Sequence, residues 1–155
     1  MDNPFMARAI QLSIENVRSG RGGPFGAVIT KDGVVVGEAT NQVTSTNDPT
    51  AHAEVLAIRE ACKKFGVFDL HGCEIYTSCE PCPMCLGAIY WARIARVYFA
   101  NDAADASRIG FDDSLIYREL AMSHSQRKIP MIQMMCKQGL VAFREWENKP
   151  DKIAY

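Results

Sequence analysis

Two short stretches hold residues whose types and spacing can do chemistry: His52-Ala53-Glu54, and Cys79-Glu80-Pro81-Cys82-Pro83-Met84-Cys85. Each alone is ambiguous. A histidine at a helix start is ordinarily a capping or surface group, and two cysteines three apart can be buried packing or half of a structural zinc site. On a helix, Cys82 and Cys85 at i and i+3 share one face, so two thiolates reach one ion, and His52 supplies a third ligand from a facing helix. Three protein ligands leave a tetrahedral ion one open position, which marks a catalytic rather than a structural site. The structural alternative needs a fourth ligand. Cys79 could be that ligand, and an iron–sulfur centre would use the same cysteines. Yet Cys79 precedes the proline expected to open the helix, which puts it on a strand end pointing elsewhere.

Together the stretches match H-x-E…P-C-x-x-C, and so resemble the signature of zinc nucleobase deaminases, in which one His and two Cys hold the metal and the Glu does not. The resemblance implies Zn2+ at His52, Cys82 and Cys85. Zinc lowers the pKa of its water from 15.7 to about 7. Glu54 then takes a proton from that water, delivers it to a ring nitrogen beside the attacked carbon, and later protonates the departing amine. Residues two apart do not share a helix face, so His52 and Glu54 serve one pocket only if their helix meets the metal end-on. Two helix N-termini aimed at the site would also favour thiolate and hydroxide over their neutral forms.

The elements that must position these groups read as alternating strand and helix. Apolar positions Met6, Ile10, Ile14 and Val17 predict an amphipathic helix over 4–18. Segments 25–29 and 34–37 flank Lys31-Asp32-Gly33, a hairpin signal. Residues 38–50 are polar, and Asp48-Pro49-Thr50 predicts the cap of a helix over 51–65, with Val55, Ile58, Cys62 and Phe65 inside and Gly66 closing it. A strand over 74–77, a helix from the cysteine cluster to about residue 92, and a strand over 95–100 follow. Beyond them come a short helix over 112–120, a last strand over 131–136 and, after Gly139, a closing helix over 140–148. This alternation predicts a layered α/β domain.

With 155 residues, 48% of them hydrophobic, the chain has material for one core, so 1–155 is expected as a single domain. No apolar run is long enough for a membrane span, and Met1-Asp2-Asn3-Pro4 lacks the layout of a secretory signal. The expectation is a cytoplasmic protein. Of six cysteines, three crowd into residues 79–85, and such a cluster in a reduced compartment points to metal rather than disulfides. Cys62, Cys73 and Cys136 fall at apolar positions expected in the core; His71 and His124 read as surface groups. A net charge of −1 argues against a nucleic-acid partner.

Nearly the whole chain resembles the cytidine deaminase-like superfamily, and most of all its short bacterial guanine deaminases. The likeness lies in Asn41, His52-Ala53-Glu54, the run from Thr77 to Cys85, Gly87 to Arg93, Gly110-Phe111-Asp112-Asp113-Ser114 and the terminal Tyr155. It implies a three-layer α/β/α fold around a mixed five-stranded sheet with helices on both faces. It also implies hydrolysis of guanine to xanthine and ammonia, with Asn41 hydrogen-bonding the purine and Phe25 and Trp91 as apolar walls. Asp113 would be a second proton carrier. The blander readings are a turn for Asn41, core for Phe25 and Trp91, and a cap for Asp113. Residues 149–155, with Tyr155 at the end, would form a lid, and a homodimer could exchange this C-terminal segment between protomers.

Outside the zinc motifs, Trp91 and the run from Phe111 to Tyr117 favour guanine deaminase over tRNA adenosine deaminase, whose substrate calls for a basic surface. That enzyme is the second reading. Deamination of cytosine, cytidine or a pyrimidine intermediate of flavin synthesis is the third. A non-catalytic zinc module would need four ligands and no acid at position 54.

Overall fold

The computed structural model describes residues 2–155. Asn3 opens the first helix, α1 (Pro4–Ser19), by accepting from the backbone N–H groups of Phe5 and Met6, with Pro4 in the first turn and Gly20 closing the helix. The hairpin expected at Lys31-Asp32-Gly33 joins β1 (Gly26–Lys31) to β2 (Val34–Thr40). Both central residues have positive φ, 49° and 75°, as a type I′ turn requires. A short helix α2 (Val43–Thr46) interrupts the polar stretch. Then come α3 (Ala53–Phe65), β3 (Cys73–Cys79), α4 (Pro83–Trp91), β4 (Arg96–Asn101) and α5 (Ala103–Arg108).

The strands lie in the order β2-β1-β3-β4. β1 is antiparallel to both β2 and β3, while β4 runs parallel to β3 after the crossover through α4. Side chains alternate across this sheet. Ala27, Ile29 and Ile75 pack with Ala53, Ala57, Ala61 and Ile89 of α3 and α4, whereas Val28 and Tyr76 pack with Ala9 and Leu12 of α1. The result is the expected three layers on a mixed sheet. Small residues face the sheet from α3 because the backbones come close. A Cβ on Gly37 would lie 2.6 Å from the Ala57 carbonyl oxygen.

The chain divides into two compact units, the first ending at Asp113 and the second running from Ser114 to Tyr155. The second holds α6 (Ser114–Ala121), a single 3-10 turn (His124–Gln126) and α7 (Cys136–Asn148). None of its residues is buried. Among the described residues no helix is long and apolar enough to cross a membrane.

Several expectations need correction. The sheet has four strands among the described residues, not five. Residues 131–135 have no regular structure and Cys136 is the first residue of α7, so Gly139 lies inside that helix. No other segment of that unit is a strand, and a strand without a ladder partner leaves its backbone N–H and C=O groups unpaired. Cys136 is exposed rather than in the core. The buried stripe of α1 is Ala9, Leu12, Ser13 and Asn16, not Met6, Ile10, Ile14 and Val17, and that of α3 is Ala53, Glu54, Ala57 and Ala61. Val55, Ile58 and Cys62 are only partly buried and Phe65 is exposed.

Candidate active site

The residues singled out for chemistry gather at the end of the sheet where β3 and β4 finish and β1 starts. The backbone N–H of Gly26, at the start of β1, donates to Ser78 Oγ near the end of β3, at 3.0 Å. Asn41 donates its N–H to the Phe25 carbonyl at 3.0 Å, and Gln42 to that of Ala51 at 2.9 Å, so the exit of β2 is bound to the segment that carries His52. Ligands collect at strand carboxyl ends for this reason: the loops and helix N-termini there leave backbone donors facing outward.

Asp48 accepts from the Thr50 N–H and hydroxyl, forming a local turn rather than the expected helix cap. α3 instead starts at Ala53 with His52 as its N-cap, and α4 starts at Pro83 with Cys82 as its N-cap. Neither cap residue makes a side-chain cap bond, which leaves both side chains to turn toward one another. Both helices thus meet the site end-on, as the His52/Glu54 spacing demands.

His52, Cys82 and Cys85 form a group whose ligand atoms lie within 4.8 Å of one another. His52 Nδ1 is 3.6 Å from Cys82 Sγ and 3.4 Å from Cys85 Sγ. A tetrahedral zinc with Zn–S of about 2.3 Å and Zn–N of about 2.0–2.1 Å holds its N and S ligands about 3.5 Å apart, so the three atoms fit the ion. Cys79 stands apart from this group, with its thiol 3.8 Å from the Asp102 carbonyl, to which it donates.

Electrostatics single out the same residues. The Cys82 sulfur accepts from the Cys85 thiol and also from His52 and the Cys85 backbone N–H; against its burial, this holds Cys82 at about 4. The Cys85 thiol is pushed up by that bond and by burial. The bond to Cys82 raises His52 as well. Burial raises Glu54, which is only 8% exposed, although its own backbone N–H bonds the carboxylate. Burial also pushes Cys79 up to about 11, making it a poor thiolate donor. One stabilised thiolate, a second thiol, an imidazole and a buried carboxyl in one place form a donor set suited to a divalent cation and a proton carrier.

Residues 1–101 match the model of the cytidine and deoxycytidylate deaminase zinc-binding region. This chain belongs to that family of zinc-binding deaminases. The deaminase is 53% identical over 151 residues to the guanine deaminase of Bacillus subtilis, with 97% of each chain covered. It is 38% identical to a tRNA-specific adenosine deaminase of the same organism, over 84% of this chain and 81% of that one. The X-ray structure of guanine deaminase from Bacillus subtilis superposes with a TM-score of 0.96 at 52% identity, covering 100% of this chain and 99% of that one.

Around the metal group the deaminase places Asn41 and Phe25 side by side through their backbone bond. Asn41 is buried, and its Oδ1 accepts from the N–H groups of Gly23 and Val43, each at 3.3 Å. Phe25 meets Phe111 edge to face, with ring centroids 4.9 Å apart and planes at 88°. Burial, with negative charge at Cys82, Asp112 and Glu80, holds Asp113 above the usual carboxylate range. Trp91 is 70% exposed at the far end of α4, about 13 Å of helix from Cys82 at 1.5 Å per residue. Tyr155 is exposed in the second unit.

Two residues of the deaminase's site had no functional reading in the sequence. Asn16 Nδ2 donates to the carbonyls of Gly23 and Asn41, each at 2.8 Å, while its buried Oδ1 lacks a hydrogen-bond partner among the described residues. Glu80 accepts from the Ala103 N–H at 3.0 Å and so ties the cysteine loop to α5. A polar residue four after Leu12, on the same helix face, was the available signal for Asn16. Glu80 had no such signal.

Proposed function

We propose that this deaminase hydrolyses guanine to xanthine and ammonia. The observation that carries the reading is the 53% identity, over 97% of both chains, to the guanine deaminase of Bacillus subtilis. His52, Cys82 and Cys85 would hold zinc, which supplies a water of lowered pKa, near 7. Glu54, buried in the first turn of α3, takes a proton from the attacking water and hands it to the ring nitrogen beside C2. The water oxygen ends as the C2 oxo group, one of its hydrogens on that nitrogen and the other on the leaving amine as the C2–N bond breaks. Two protons move in each turnover, and Asp113 is the second carrier.

Asn41 Oδ1 is engaged by two backbone N–H groups, so the amide offers its Nδ2 donors to a substrate acceptor. A purine carbonyl or unprotonated ring nitrogen fits that donor; an exocyclic amine does not. Phe25 forms one apolar wall. Trp91, remote from the metal group along its own helix, reaches a purine only from a second copy of the chain.

A homodimer with exchange of the C-terminal segment agrees with two features. The second unit buries none of its residues although it carries Ile132, Phe143 and Trp146, and β4 is an edge strand bearing half-exposed Phe99. Residues 149–155 close the partner's pocket in this reading. The reduced cytoplasm is the compartment that keeps the ligand thiols free.

Incubating the zinc-loaded protein with guanine, adenine, cytidine and a tRNA anticodon arm tests the reading. Xanthine and ammonia from guanine are expected in clear preference to the other products. Inosine formed in the tRNA with no action on guanine would overturn it in favour of the adenosine deaminase activity.

A further inference from the structure

Two residues before Asp113 stands an aromatic ring whose place in the fold is set on three sides. We propose that Phe111 is a positioning residue: packed edge-on against Phe25, it fixes the 109–113 loop so that Asp113 faces the His52/Cys82/Cys85 cluster. The inference rests on the reading of Asp113 as a proton carrier.

The loop is assembled from its start. A reciprocal capping box between Asp102 and Asp105 begins α5, and Glu80 of the cysteine loop accepts from the first N–H of that helix, at Ala103. The Glu80 N–H returns a bond to the Asn101 carbonyl at 2.8 Å. The helix therefore starts in register with the residues just before Cys82. It stops as firmly. Gly110 takes φ +95°, a conformation that L side chains rarely adopt, and the N–H of Phe111 reaches back to the Ala106 carbonyl at 3.0 Å while that of Gly110 bonds Ser107 at 3.0 Å. This is the C-terminal motif in which the residue after glycine packs against the rest of the fold.

Phe111 meets Phe25 there in the T-shaped arrangement, the favourable geometry for two aromatic quadrupoles. Gly23 lies against both rings: a Cβ at that position would crowd two carbons of Phe25 at 3.3 Å and touch Phe111 Cζ at 3.5 Å, an ordinary contact. Gly23 is pinned in turn, donating to Asn41 Oδ1 and accepting from Asn16 Nδ2. Thus the ring joins the loop carrying Asp113 to the loop carrying Asn41. Without it, Phe25 loses its edge contact and the 109–113 loop loses its aromatic anchor on the loop that carries Phe25.

The test is a double-mutant cycle on the zinc-loaded, full-length protein with guanine as substrate. Phe111→Ala should lower kcat by about ten- to a hundredfold, the range expected when a reacting group is displaced by about 1 Å. Zinc content should stay at the parent value, and hydrogen exchange over residues 106–113 should accelerate. Phe111→Tyr, which keeps the ring edge, should restore most of the rate. In an Asp113→Asn background, Phe111→Ala should cost less than about twofold more, since residues that act as a unit are not additive. Equal losses in both backgrounds, or loss of zinc in Phe111→Ala, would overturn the positioning role while leaving Asp113 its own. Full activity of Asp113→Asn alone would remove the proton-carrier reading and this proposal with it.

Discussion

At the scale of single residues, the site separates two tasks between neighbours in sequence. His52 points its Nδ1 at two sulfurs, while Glu54, two positions on, is buried at the same helix end and in the proposed reaction moves the protons. Glu54→Gln keeps the shape and removes the proton carrier, so turnover should fall about 10²- to 10⁴-fold with zinc content unchanged; metal analysis beside steady-state kinetics checks both halves, and lost zinc would make Glu54 a ligand. Cys82→Ser and Cys85→Ser should each lose zinc and activity. Cys79→Ser should keep both, since that thiol donates to the Asp102 carbonyl outside the metal group; equal zinc loss in all three variants would revive the three-cysteine site. The metal group was legible in the sequence because coordination chemistry admits few side chains, at spacings that a helix dictates. Asn16 and Glu80 were not, since both act on backbone atoms that any residue type could have supplied.

At the scale of elements, the types of helix and strand through residue 101 were legible apart from the short α2, which lies in the stretch read as a polar loop, and their faces were not. Helical periodicity picked the large apolar side chains of α1 and α3, but close approach over Gly37 selects Ala57 and Ala61 in α3, and close approach over Gly26, within reach of the Ala9 carbonyl, sets the inward face of α1 and leaves Ile10 and Ile14 at 38% exposure. The packing distance between layers, which no single helix encodes, decided the face. One cross-layer contact on the α1 side can be tested directly. Arg8 Nε donates to Glu38 at 2.9 Å, and that bond is the chief reason the Glu38 carboxyl lies below its ordinary range. A carboxyl depressed in the folded state adds stability above its unfolded pKa and loses it as the pH falls through the folded one. Glu38→Gln should therefore destabilise the fold near pH 7 by no more than about 1 kcal/mol, given the partial exposure of both groups. Urea titrations of the two proteins should converge once the pH drops below the carboxylate range, and a gap that persists there would mean the glutamine is harmful for another reason.

At the scale of the whole molecule, the sequence located helix-forming residues after Ser114 but misread 131–136, because alternation alone cannot supply the ladder partner a strand needs. If the last residues close a partner's pocket, deleting residues 152–155 should impair guanine turnover while leaving zinc content and the melting temperature near the parent values. Full-rate turnover by the truncated protein would dismiss the lid and leave the metal chemistry standing. The unburied second unit has a consequence of a different kind. If its apolar side chains find their cover only on another copy, stability is tied to mass action: each tenfold dilution weakens the folded assembly by about 1.4 kcal/mol per mole of dimer. Thermal melts should then move to lower temperature as the protein is diluted, and a transition indifferent to concentration would mean that one chain alone is the folding unit.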